Sequence, residues 1–144
     1  MELPGRIATP SGTLTLPAFG EIERSRILAV DDLFAVVSDK FPISPGHTLI
    51  IARRPVARFQ ELTSAEKARL VAWIDWTQQH LASHLSPTPD AFNFGLNDGP
   101  AAGQTVLQLH FHVIPRYTGD VPDATNMLPG AWIKLALVVI SILA

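Results

Sequence analysis

The sequence predicts an α+β domain built on a mostly antiparallel sheet, and three observations predict it. Short runs of strand-forming residues lie on both sides of one long helical segment. The first two runs follow each other across a Pro/Gly turn, as the strands of an antiparallel pair do. A later run, Thr105 to Ile114, alternates apolar and polar side chains, the period of a strand with two different faces. With 144 residues the chain has room for one domain and not for two of ordinary size.

The elements follow in order. Residues 1–20 carry Pro4, Pro10 and Pro17 with Gly5, Gly12 and Gly20, and read as an N-terminal arm. The organised domain is expected over residues 21–123. Leu33 to Val37 is an apolar run closed by Ser38-Asp39, and the turn Phe41-Pro42-Ile43-Ser44-Pro45-Gly46 leads into a second run, His47 to Ile51. Thr63-Ser64-Ala65-Glu66 has the form of a capping box, in which the threonine hydroxyl and the glutamate carboxylate each satisfy an amide of the first helical turn. Leu70, Ile74, Leu81 and Leu85 then recur at helical spacing until Pro87 and Pro89 end the pattern. Phe92 to Gly95 reads as a third strand and Thr105 to Ile114 as a fourth. Residues 124–144 form an apolar tail whose only charge from Ala131 onward is Lys134. That stretch is short of the about 20 residues a bilayer span needs, so a terminal strand, buried or facing a second copy, is preferred to a membrane-bound end.

Composition narrows the function. The formal net charge of −2 argues against a protein that mainly binds nucleic-acid phosphates. There is no cysteine, which removes disulfides, thiolate nucleophiles and cysteine-based metal sites. No basic region followed by an apolar core opens the chain, so a cytoplasmic protein without membrane association is expected.

The chemistry concentrates in the fourth strand. Leu107, Leu109, Phe111 and Val113 share one face, and Gln108, His110 and His112 the other. Two imidazoles beside a carboxamide are poor core filler and mark a candidate site. Just upstream, Asn97-Asp98-Gly99-Pro100-Ala101-Ala102-Gly103-Gln104-Thr105 is a loop of small residues whose amides can approach an anion, with Gln104 and Thr105 as neutral donors. A neutral imidazole is a competent nucleophile near pH 7.

The run Gly103-Gln104-Thr105-Val106-Leu107-Gln108-Leu109-His110-Phe111-His112-Val113-Ile114-Pro115-Arg116 resembles the signature strand of the histidine triad family of nucleotide hydrolases and transferases. Pro45-Gly46-His47-Thr48-Leu49-Ile50-Ile51 and Asn97-Asp98-Gly99-Pro100 resemble that family's other site segments. The family pattern is His-x-His-x-His. In this alignment His110 is the middle histidine and nucleophile, His112 is the third, and Gln108 stands where the first would be. The resemblance implies a five-stranded antiparallel sheet with one long helix and a short one, and a homodimer. It also implies a covalent nucleotidyl-histidine formed from a dinucleoside polyphosphate such as diadenosine tetraphosphate, or from an adenosine phosphoramidate. A phosphorylase or nucleotidyltransferase would use the same intermediate, and a nucleotide-binding module with little turnover is the non-enzymatic alternative.

By resemblance, His110 and His112 are catalytic, while Asp39, His47, Asn97, Gly103, Gln104, Thr105 and Gln108 line the substrate site. Asp39 would hold ribose hydroxyls, His47 would stand behind the nucleophile, and Asn97 would contact phosphate. By residue type alone, Asp39 and Asn97 also suit turns, and His47 suits a strand start. Some relatives hold a structural zinc with cysteines near the position of residues 17–21. Lacking them, this chain is expected to carry no metal and no cofactor. His80 and His84 are four apart on the helix, but no glutamate follows His80, so they read as solvated or tryptophan-packed positions. Arg53, Arg54 and Arg58 read as an exposed charged edge with no nucleic-acid role.

Overall fold

The computed structural model describes residues 12–122. Seven strands and one α-helix follow in the order β1 (Leu14–Leu16), β2 (Gly20–Ile22), β3 (Ile27–Val30), β4 (Phe34–Ser38), β5 (Thr48–Ala52), α1 (Ser64–His84), β6 (Ala91–Leu96) and β7 (His110–Arg116). The last five strands form one antiparallel sheet in the order β3-β4-β5-β7-β6, and β1 and β2 pair separately as a small hairpin. This is the α+β fold the sequence predicts, with α1 as its one α-helix among the described residues. The other helical pieces are single 3₁₀ turns at Arg24–Arg26, Phe59–Glu61 and Pro100–Ala102.

The helix forms where its cap is written. The Thr63 hydroxyl accepts from the Glu66 amide at 3.1 Å, and the Glu66 carboxylate accepts from the Thr63 amide at 3.0 Å. Arg54 then closes on Glu66 at 2.8 Å. Leu70, Trp73 and Leu81 turn the buried face of α1 onto Phe34, Val36, Ile50 and Val113 of the sheet and onto Leu109 just before β7. The Trp73 indole donates to Asp31 at 2.9 Å, which fixes the helix against the β3–β4 turn.

The opposite face of the sheet carries a second core. Leu14, Leu16 and Ile22 of the hairpin bury against Ala35, Val37, Leu49 and Ile51. The hairpin spans residue 20, so part of the expected arm packs on the domain. Strand alternation sends His110 and His112 to this hairpin side, opposite Ile51 and Leu49 of β5. The site therefore lies on the sheet face away from α1.

Two boundaries differ from expectation. The strand read over Thr105 to Ile114 begins only at His110 and runs to Arg116. Leu107, assigned to the core face, is 61% exposed. The physical reason is that Gln104 and Gln108 spend their amides on backbone groups and draw residues 104–109 into an irregular loop. The apolar tail over 124–144 lies outside the described residues.

Candidate active site

Beneath the hairpin is a cavity of about 360 Å³. Its lining includes seven of the nine expected site residues: Asp39, His47, Asn97, Gly103, Thr105, His110 and His112. Gln104 and Gln108 are not in it.

The histidines form a chain whose protons can be assigned. The His110 Nδ1 lies 2.8 Å from the Gln108 carbonyl oxygen. A carbonyl only accepts, so Nδ1 carries the hydrogen and Nε2 keeps its lone pair. At His47, the Ile43 amide donates to Nδ1 at 3.3 Å, which leaves the hydrogen on Nε2. That Nε2 lies 2.9 Å from Nδ1 of His112, and the Asp39 carboxylate is 3.4 Å away. With Nδ1 accepting, neutral His112 carries its hydrogen on Nε2. This Nε2 is buried and has no hydrogen-bond partner among the described residues. It is a donor without an acceptor, beside an imidazole with a free lone pair.

Burial keeps all three rings neutral. Desolvation is the largest influence on each, and it lowers each pKa from the ordinary 6.5. His112 is pushed down to about 2 by burial, reinforced by neighbouring His110 and His47. For His47 the nearby Asp39 opposes the fall, and for His110 the Gln108 carbonyl and Asp39 do.

The loop before β7 is braced from within. Gly99 and Gly103 adopt positive φ of 108° and 93°, which only glycine takes without strain. The amides of Ala102, Gly103 and Gln104 bond to carbonyls of the same loop, and that of Gly99 to the Gln104 side chain. Those amides are not available to an anion. The amides of Thr105 and Val106 have no intramolecular partner among the described residues, and both residues line the cavity. The Asn97 carboxamide donates to the Gly103 carbonyl at 3.3 Å. Asp98 caps the 3₁₀ turn at Phe59 and pairs with Arg58 at 3.2 Å, so this arginine serves the loop.

Several lining residues were not foreseen. Phe19, Ile22, Phe41, Ile43 and Leu49 give the cavity an apolar wall, and Glu21, Arg26 and Lys40 charge its rim. The Phe19 ring stands edge-on to His110, centroids 5.1 Å apart and planes at 87°. Arg26 is held by its Nε on the Ser38 carbonyl at 3.0 Å. Loop aromatics and isolated cations look alike in sequence whether or not they meet a cavity, so no local signal marks them.

Asp39, His47 and His112 also bring three ligand atoms within 4.8 Å of one another, a set able to take a cation. A cation there would have to break the His47–His112 hydrogen bond. The cysteine-based zinc of some relatives does not fit, because the chain has no cysteine. His80 stacks on His84 and on Trp76, centroids 4.1 and 4.6 Å apart, as helix-surface packing.

Residues 20–119 match the HIT domain family. The chain belongs to that family. It is 33% identical over 120 residues to an AP-4-A phosphorylase of Mycobacterium tuberculosis, covering 81% of this chain and 60% of that one. It is 37% identical over 112 residues to a bis(5'-adenosyl)-triphosphatase of Dictyostelium discoideum, covering 74% and 72%. Among solved structures, the C. elegans NitFhit protein superposes with a TM-score of 0.72 at 29% identity, covering 91% of this HIT chain and 30% of that one. The Plasmodium falciparum diadenosine triphosphate hydrolase, 20% identical with a TM-score of 0.70, shares the fold over 96% of this chain and 88% of its own. The chain spans 44–61% of the length of several curated relatives. Among the described residues no helix is long and apolar enough to cross a membrane.

Proposed function

We propose that this HIT domain cleaves the phosphoanhydride of a dinucleoside polyphosphate, or the P–N bond of an adenosine phosphoramidate, through a covalent nucleotidyl-His110. The observation that carries this reading is the pair of imidazoles, His110 and His112, that line one cavity. His110 Nε2 holds a lone pair, and His112 Nε2–H lacks an acceptor. A nucleophile beside an unpaired donor matches the needs of phosphoryl transfer, where charge on the phosphoryl oxygens must be stabilised.

The atoms balance in two displacements. The His110 Nε2 lone pair attacks the α-phosphorus, a P–N bond forms, and the bond to the leaving group breaks. Water then attacks the same phosphorus, releases a nucleoside monophosphate, and returns the lone pair to Nε2. In this reading His112 Nε2–H donates to a phosphoryl oxygen. The amides of Thr105 and Val106, the Thr105 hydroxyl and Asn97 add neutral donors. Asp39 is the acceptor for ribose hydroxyls, and the Phe19–Ile22–Phe41–Ile43 wall suits a base.

The reading is tested by quenching the enzyme with substrate and mapping the adduct by mass spectrometry. A nucleotidyl group on His110 is expected. An adduct on another residue, or no turnover of any nucleotide ester, would overturn it. One relative is named a phosphorylase, so phosphate as the second acceptor is the alternative. Products formed with and without inorganic phosphate separate the two, since phosphorolysis yields a nucleoside diphosphate. We also propose that the domain is a homodimer. Phe94 is exposed on edge strand β6, and light scattering of the purified protein tests the assembly.

A further inference from the structure

Gln108 is fully buried and faces backbone, not the cavity. Its Oε1 accepts from the Ala18 amide at 2.9 Å and from the Phe19 amide at 3.4 Å. Its Nε2 donates to the Ala52 carbonyl at 2.6 Å, at the end of β5. Its own carbonyl accepts from His110 Nδ1. One residue thus ties the turn of the β1–β2 hairpin to the centre of the main sheet, two residues from the proposed nucleophile. The same turn carries Phe19, whose ring edge meets the His110 imidazole.

We infer that Gln108 is a positioning residue: its carboxamide pins the hairpin turn so that Phe19 covers His110 and keeps the imidazole dry and fixed. This rests on the reading of His110 as nucleophile. The chemistry required of position 108 is one acceptor and one donor on a short planar group. A carboxamide has both, and so does a neutral imidazole. That equivalence explains how glutamine can stand where the family pattern has its first histidine. The position asks for a bridge between two backbone segments, and no proton needs to leave it. Leucine supplies neither function, and glutamate supplies two acceptors against the Ala52 carbonyl.

Histidine-selective NMR of the substrate-free protein is the test, read beside turnover in wild type, Gln108→Leu, Gln108→His, Phe19→Ala and the Phe19→Ala/Gln108→Leu double variant. Gln108→Leu should weaken the Phe19–His110 cross-peak and lower kcat by about tenfold, the scale of a small misplacement at a reacting group, and Phe19→Ala should lower kcat by a similar factor. The double variant should be no worse than the worse single one, because both changes act through one contact. Gln108→His should keep the cross-peak and stay within roughly threefold of wild-type kcat. An unchanged cross-peak in folded Gln108→Leu would overturn the inference, and so would additive effects on kcat in the double variant. Should Gln108→Leu fail to fold, Gln108→His decides: loss of the cross-peak there refutes the bridge. The NMR needs no substrate, so a protein without turnover sinks the hydrolase reading while the bridge is still measured.

Discussion

The Nε2 of His47 lies 2.9 Å from the Nδ1 of His112, and this contact orients a proton 65 residues along the chain. Because the Ile43 amide donates to the other nitrogen of His47, the hydrogen sits on Nε2 and is given to His112, the nearer acceptor, with the Asp39 carboxylate at 3.4 Å. His112 is thereby held with its own hydrogen on the buried, unpartnered nitrogen.

His47→Leu removes that donor, so His112 is free to move its hydrogen to Nδ1 and present a lone pair to the substrate. A hydrogen bond to a charged oxygen is worth about 1.5–3 kcal/mol, so kcat is expected to fall by roughly ten- to a hundredfold. His47→Gln keeps an N–H donor and should retain much more activity. Equal losses in the two variants would show that His47 acts by bulk alone.

His110→Ala is expected to abolish turnover of a phosphoramidate while leaving nucleotide affinity within about threefold. Binding in the proposed site uses the apolar wall and the 105–106 amides, which this change leaves in place. Calorimetry with a nucleoside monophosphate gives the affinity. Substantial residual turnover would assign the nucleophile elsewhere.

What the sequence disclosed follows from how local each signal is. The helix was legible because its cap and its apolar face are encoded within the span they describe. So were β4, β5 and β6, each within a residue or so of its observed end. The hairpin was not, because strands of three residues among prolines and glycines carry no measurable period. Strand β3, four residues long, was missed. The histidines were found as a pair on one face. The roles of Gln104 and Gln108 were not, because a carboxamide is read by its partners, and Ala18 lies 90 residues from Gln108.

Thr63→Ala should lower stability by about 1 kcal/mol, the usual cost of losing an N-cap. Glu66→Ala should cost at least as much, since the Thr63 amide and Arg54 both lose their acceptor. Urea unfolding gives both values. Combining the two should cost less than their sum, because the two separate bonds close one turn and each holds the geometry the other needs. Strict additivity would mean that the box is not a unit in solution.

The last expectation concerns pH and stability, where the sign follows from burial. His47, His110 and His112 all have folded pKa values below 6.5, while in the unfolded chain they return to it. At pH 7.5 neither state binds the protons, and stability is at its full value. As pH falls through 6.5 the unfolded chain takes up protons that the folded rings refuse, so unfolding is favoured. For His112 the loss continues toward its folded pKa of about 2. Each such ring contributes a slope of at most about 1.4 kcal/mol per pH unit. The carboxylates with lowered pKa, Glu66 and Asp120 among them, lose their contribution only below their ordinary values of 4.5 and 3.8, so the range from 6.5 to 5 isolates the histidines. His80 shares the direction, chiefly through desolvation, and provides the control. Unfolding free energies at pH 7.5, 6.5 and 5.5 should therefore fall with acid in wild type, and fall less steeply in His112→Gln than in His80→Gln. An identical slope in His112→Gln would show that protons enter this cluster without cost, and the dry, neutral histidine chain would have to be abandoned.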